Sequence, residues 1–599
     1  MKEKILRLLK VIANPVIREL PFIIAFLLLM GITEMVGMIH GSLVAPQLYP
    51  PLLDIAGWVG FSFLVAFVLA SIVTYSHLYK LRFIWYSISL ILYSVKAFLK
   101  VNFNWSITPA VLTMIAETNS TESSEFIKTY LTSPLSLNIL YTIIASIVII
   151  VCAETLYKRF SRGGQITMPK AVVTTTLVLP LLALGLYSFY NYKKLFDNNE
   201  SVESLTSHLE ENFIVSPLDR LIWSMGIINK SGSSLAEAVD KTNQISGSEL
   251  AKDCPDSLNV ILVIGESYIK WHSHLYGYNL HTTPNMDKEK ENGNLFVFNN
   301  VITPYNHTSE SIKNIFSCNS LGNGESWHSK PIFPSIFRQA GYYVLFWDNQ
   351  RAVKSMFDTW SFTLDAFLYH PEIISKSYTK TNQRNFRYDE DLIDDFINST
   401  SDVNNPHKLI LFHLMGQHLL AEERYPHNSK YNYFTPDSIL RNEQWMTEKK
   451  KKMIADYDNA TLYNDYVISK ILNYYRNSNC ILIYLSDHGE EIYDYRDAIG
   501  RNHSKDLDGN LLKYQFEIPF IIWVSDKFKN NNKETYESIH HAVNKPFMID
   551  DVCQLLFHCG YVITPYYKSE NDIISSEYSC PKRLVRGSVD YDHFIQCRN

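Results

Sequence analysis

Hydrophobic residues follow two different rhythms along this chain. In the first third they form long, nearly unbroken runs: Leu20 to Ile39, Trp58 to Tyr75, Phe83 to Leu99, Leu135 to Ala153 and Ala171 to Tyr190. Crossing a hydrocarbon layer of about 30 Å takes roughly 20 apolar residues in a helix, so each run predicts a membrane span. Beyond Cys254 the apolar runs shorten to strand length, at Val260 to Ile264, Tyr342 to Phe346, Leu409 to His413 and Cys480 to Leu485, with helical stretches between them. That alternation predicts an α/β domain on a largely parallel sheet. The connecting stretch from Asn191 to about Leu250 is polar with amphipathic patches such as Leu205 to Ile214, which predicts a helical linker along the membrane surface. The expected organisation is a five-span domain over 1–190, a linker over 191–250 and an extracytoplasmic domain over 251–599.

Charge fixes the orientation. Lys2, Lys4, Arg7, Lys10 and Arg18 precede the first run, Lys80 and Arg82 follow the second, and Lys158, Arg159, Arg162 and Lys170 follow the fourth. The stretch from His40 to Gly57 has neither Lys nor Arg, so the basic pieces alternate as a cytoplasmic N-terminus and five spans require. Everything after Tyr190 is then expected outside the cytoplasm. The formal net charge of -6, from 55 basic and 61 acidic residues, gives no reason to expect nucleic acid as a partner. Two charges fall inside the apolar runs, Glu34 late in the first and Lys96 in the third, and charge at that depth is costly unless paired or hydrated. Of eight cysteines, seven follow the membrane third; in an oxidising compartment Cys553/Cys559 and Cys580/Cys597 are candidate local pairs.

The chemistry gathers where strands end. Ile261 to Ser267 is an apolar strand that delivers Glu266, and Leu482 to Glu490 is another that delivers the adjacent Asp487 and His488. Between them, Thr303 to Ser311 is a hydroxyl-rich stretch leading into a helix predicted from Ile312. Two carboxylates and an imidazole suit a borderline dication, and the hydroxyl of Thr308 would complete a tetrahedral set. An ion there would activate Thr308 as a nucleophile and draw charge from phosphoryl oxygens, while the helix start favours an anion. The residues alone therefore point to phosphoryl or sulfuryl transfer. His272, His274 and His281 are also dense after Glu266, and on an exposed segment they are expected to be ordinary surface histidines.

At these residues the chain resembles the phosphoethanolamine transferases of the sulfatase and alkaline-phosphatase superfamily, which modify lipid A and lipopolysaccharide. The match is carried by Val263 to Ser267, Leu275 to Tyr278, Thr282 to Pro284, the Thr308 segment, Tyr457 to Ala460 and Ser486 to Glu490. The resemblance implies a five-helix anchor joined to a sulfatase-like α/β domain in the periplasm, at the inner membrane. It implies Zn2+ at Glu266, Thr308, Asp487 and His488, one ion with a second left open. Thr308 is the implied nucleophile, His418 and His503 the implied proton-transfer groups, and Lys354 and Asn306 the implied phosphate contacts. The donor would be phosphatidylethanolamine and the acceptor lipid A or another envelope glycan. Two departures stand out: Lys313-Asn314 replaces a Pro-Cys pair, and Glu517 replaces a histidine before Ile518-Pro519. Two other readings remain at this point: a glycerol-phosphate transferase of the lipoteichoic acid synthase type, and a non-catalytic envelope protein of the same fold.

Overall fold

The computed structural model describes residues 2–44, 51–103, 105–118, 124, 134–162, 170–197, 205–206, 209, 216–351, 363–418, 420–428, 430–501 and 507–596. It divides into two compact units, one up to Ser231 and one from Gly232 onwards.

The first unit is helical. Four helices are long and apolar enough to cross a membrane: Leu52–Ser76, Leu81–Phe103, Ile139–Arg159 and Ala171–Phe196. A bent pair, Glu3–Arg18 with Leu20–Leu29, makes up to five. The continuous helix expected from Leu20 to Ile39 is broken, because the chain stops at Leu29, turns through Gly31 at φ 88° and restarts at Ile32. Gly60 and Gly185 bring two spans into backbone contact, as small residues do between membrane helices. A Cβ on Gly60 would lie 2.6 Å from the Gly185 nitrogen. The two charges inside the apolar runs answer each other, with Lys96 Nζ donating to Glu34 Oε1 at 2.7 Å and to Oε2 at 2.8 Å.

The second unit is built on a seven-stranded sheet. In chain order its strands are β1 Leu258–Gly265, β2 Leu295–Val297, β3 Tyr343–Asp348, β4 Lys380–Thr381, β5 His407–His413, β6 Cys480–Ser486 and β7 Phe520–Val524. Across the sheet they run β2-β7-β6-β1-β5-β3-β4. β1 is parallel to both β5 and β6, and β3 to both β4 and β5, while β7 runs antiparallel to its neighbours β2 and β6. Side chains alternate between two cores: Leu258, Val260, Leu262 and Ile264 face one, Ile261 and Val263 the other. Burial on both faces explains why these strands read as continuous apolar runs. The register pairs Gly265 with Ser486, so β1 and β6 end side by side and release their next residues into one space.

The paired-cysteine expectation fails for Cys553 and Cys559, which occupy the helix Val552–Cys559 six residues apart. A helical rise of about 1.5 Å per residue holds them too far apart for a bridge. Both are buried free thiols, Cys580 is also free, and Cys597 lies outside the described residues.

Candidate active site

Each side chain in the cluster is held by backbone set through the strand ends. Asp487 continues β6, with its backbone N–H donating to Gly265 O at 3.0 Å. Its Oδ1 accepts two backbone N–H groups, from His488 at 2.7 Å and Ser267 at 3.2 Å. That leaves Oδ2, fully buried and accepting no hydrogen bond, as the oxygen available for a ligand. His488 Nδ1 donates to Gly489 O at 2.8 Å. This bond fixes the tautomer and leaves Nε2 with its lone pair facing the cluster. Glu266 receives Ser267 Oγ on Oε1 at 2.6 Å and Gln350 Nε2 on Oε2 at 3.3 Å. Ser267 adopts φ 56°, and Tyr457 braces it by donating to Ser267 O at 2.6 Å. Such a backbone is uncommon for a residue with a Cβ and persists only where the surroundings hold it.

Thr308 is delivered from the other side. It opens the helix Thr308–Phe316, which starts four residues before the predicted Ile312. Thr303 Oγ1 donates to Asp487 O at 2.6 Å and so ties the Thr308 segment to the end of β6. Thr308 Oγ1 lies 3.1 Å from Glu266 Oε2 and 3.2 Å from His488 Nε2.

The spacings test whether a metal fits. A tetrahedral zinc ion with bonds of about 2.0–2.1 Å sets its ligands about 3.3–3.4 Å apart. Measured from His488 Nε2, the cluster gives 3.3 Å to Glu266 Oε1, 3.1 Å to Asp487 Oδ2 and 3.2 Å to Thr308 Oγ1. The donor atoms of Glu266, Asp487 and His488 lie within 4.8 Å of one another and all three residues are buried. The electrostatics agree. Burial and the adjoining Glu266 charge push Asp487 up to about 7. Two carboxylates confined this closely are satisfied by a cation, and the donor set fits one.

Other predicted residues stand as follows. Glu266 O accepts from Gln417 N at 3.0 Å, which sets the Met415–His418 turn beside Glu266. Burial pushes the His418 imidazole down to about 3, so it is neutral, and its Nδ1 is buried without a hydrogen-bond partner. Asn306 is buried and donates to Gln515 Oε1 at 2.8 Å. Lys354 and His503 lie outside the described residues. Glu517 accepts from Lys270 Nζ at 3.3 Å and Tyr591 Oη at 3.0 Å, a local network of its own. The expectation for His272 is overturned: it is buried between Asp458 Oδ1 at 2.7 Å and Asp494 Oδ1 at 2.9 Å.

Sequence reasoning missed Arg501 and Gln350. Arg501 Nη1 donates to His488 Nε2 at 2.7 Å, and Gln350 reaches Glu266 while also donating to Leu414 O at 2.6 Å. Both stand in strand-end or hairpin loops that also hold nominated residues. Arg496 and Arg501 both follow the Asp487-His488 pair, and nothing in the sequence singles out the one that reaches His488.

Comparison with known proteins bears on the whole chain. Residues 258–545 match the Sulfatase family. The phosphoethanolamine transferase EptC of Escherichia coli K12 is 26% identical over 502 residues, 81% of each chain. The Kdo(2)-lipid A phosphoethanolamine 7''-transferase of Salmonella typhimurium is 25% identical over 387 residues, 63% of this chain and 64% of that one. Among solved structures, the integral membrane protein lipooligosaccharide phosphoethanolamine transferase A of Neisseria meningitidis superposes with a TM-score of 0.56 at 17% identity, covering 94% of this chain and 97% of that one. This fold match extends over the apolar helices as well as the α/β unit. The chain thus carries a sulfatase-family domain behind a set of apolar N-terminal helices, and its curated relatives are phosphoethanolamine transferases.

Proposed function

We propose that this protein transfers phosphoethanolamine from phosphatidylethanolamine to an envelope glycolipid of the lipid A or lipopolysaccharide class, through a covalent intermediate on Thr308. The observation that carries the reading is the convergence of Thr308 Oγ1, Glu266 Oε1 and Asp487 Oδ2 on His488 Nε2, each at 3.1–3.3 Å, a spacing a bound zinc ion could bridge. Glu266, Thr308, Asp487 and His488 would hold one Zn2+, which when bound lowers the pKa of the Thr308 hydroxyl and offsets negative charge on the phosphoryl group. Thr308 Oγ attacks the donor phosphorus, the bond to the diacylglycerol oxygen breaks, and that oxygen takes a proton. An acceptor oxygen then attacks the same phosphorus and Thr308 leaves. The Thr308–Phe316 N-terminus would supply positive potential for the phosphate oxygens, and so would the Arg501 guanidinium, which would leave His488 Nε2 when that nitrogen holds the ion.

His418, whose buried Nδ1 has no hydrogen-bond partner, is the proposed proton-transfer group, with His503 as a second. Lys354 and Asn306 are proposed to contact the phosphate. The apolar helices would anchor the domain at the inner membrane with its active face in the periplasm. Donor and glycolipid acceptor are then confined to the same surface, which raises their effective concentration.

Mass spectrometry of protein purified from membranes tests this directly. A phosphoethanolamine adduct on the peptide containing Thr308, lost in Thr308→Ala, is expected. A glycerol-phosphate adduct would favour the teichoic-acid type of chemistry. A chain without any adduct, whose Thr308→Ala strain keeps its full complement of phosphoethanolamine-modified glycolipid, would refute transfer through Thr308.

A further inference from the structure

A second group of metal-ligating side chains lies on the segment that leads away from Glu266. One donor atom each from His274, His281 and Asp287 fall within 4.8 Å of one another. His274 Nδ1 is 2.7 Å from Asp287 Oδ2, and the rings of His274 and His281 face each other with centroids 4.1 Å apart. We propose that these three residues form a separate site for a borderline divalent cation of the zinc, nickel or copper class.

Three features support it. The donor set, two imidazoles and one carboxylate, suits such ions, and its net charge of -1 with neutral histidines partly balances a dication. The backbone beneath it is braced. Thr282 Oγ1 donates to His272 O at 2.9 Å and accepts from His274 N at 3.1 Å, while Thr283 Oγ1 accepts from Leu275 N at 3.1 Å. Asp287 lies in the first turn of the helix Pro284–Glu291, whose leading N–H groups at Asn285 and Met286 are held at 2.9 Å by Asp465. The side chains themselves retain freedom. Those of His274 and Asp287 are 31% and 23% exposed. His281 is exposed. Small rotations can therefore open the donors to the spacing of a tetrahedral ion, roughly 3.3 Å. Binding through His274 Nδ1 would place the ring proton on Nε2 and leave a coordination position for water. The sequence alone reads these histidines as ordinary surface residues; the turn between His274 and His281 brings them together with Asp287.

This site stands independently of the transfer chemistry. The test is zinc content of the full-length protein in detergent, stripped with chelator and dialysed against equimolar Zn2+ per expected site. Wild type is expected to hold two equivalents, and His281→Ala and Asp287→Asn one each, with the metal-free melting temperature of His281→Ala unchanged. Asp487→Asn also loses one equivalent, but the one assigned to the Thr308 centre, so failure of either site is read separately. Zinc content equal to wild type in His281→Ala and Asp287→Asn would overturn the proposal.

Discussion

Replacing His272 with alanine is expected to destabilise the α/β unit severely, although His272 lies outside the Glu266 cluster. Its imidazole sits between two buried carboxylates, Asp458 and Asp494, with side-chain exposures of 5%, 0% and 5%. Burial alone would drive the proton off, yet the two aspartates raise its pKa to about 10, so the residue is cationic at neutral pH. Removing the cation strands both acids in a dry site, a loss of about 3–5 kcal/mol for a broken buried pair. Tyr278 Oη donating to Asp458 at 2.9 Å and Ile492 N donating to Asp494 at 2.8 Å soften the loss without replacing the charge. The pH dependence gives a second handle. A histidine whose folded pKa lies above 6.5 adds stability that is complete below pH 6.5 and is lost as pH rises through about 10. The gap between those values corresponds to about 5 kcal/mol at most. Denaturant unfolding of wild type and His272→Gln, followed between pH 6 and 10, isolates the effect as the difference between the two curves. Equal slopes across that range, together with a cost below about 1 kcal/mol for His272→Ala, would refute the charged sandwich.

Asp487→Asn keeps the two N–H contacts to Oδ1 but turns the inward oxygen into a donor. Zinc should therefore raise the melting temperature of wild type by more than that of the variant, a difference of about 2.7 kcal/mol for the lost site at a hundredfold excess over Kd. Gly265→Ala would put a Cβ 2.1 Å from Tyr484 Oη, and the buried Tyr484 has no room to retreat. Overpacking of about 1–3 kcal/mol is expected from thermal denaturation, with partial recovery in the Gly265→Ala, Tyr484→Phe double variant.

The sequence disclosed most about what strand ends deliver and least about what reaches the site from elsewhere. Glu266, Asp487 and His488 were legible because a buried parallel strand is a continuous apolar run, and the polar residue that ends it must lie at the sheet's edge. Register is invisible to that argument, yet it decides the outcome. Only because Gly265 pairs with Ser486 do two carboxylates, each unremarkable alone, become one ligand set. Gln350 and Arg501 could not be found this way, since each approaches the cluster from a loop whose path depends on tertiary packing. His272 was misjudged for the same reason in reverse: the acids that enclose it lie 186 and 222 residues downstream, so its segment looked exposed. The break in the first apolar run is a local failure of another kind. Hydropathy registers apolar length but not Gly31, whose left-handed backbone interrupts the helix without changing the composition of the run. Local pattern therefore specified the chemistry of the cluster, and nonlocal pairing specified its geometry. A substitution that shifts β1 against β6 should thus abolish metal binding at the Glu266 cluster although every ligand residue is still present in the chain.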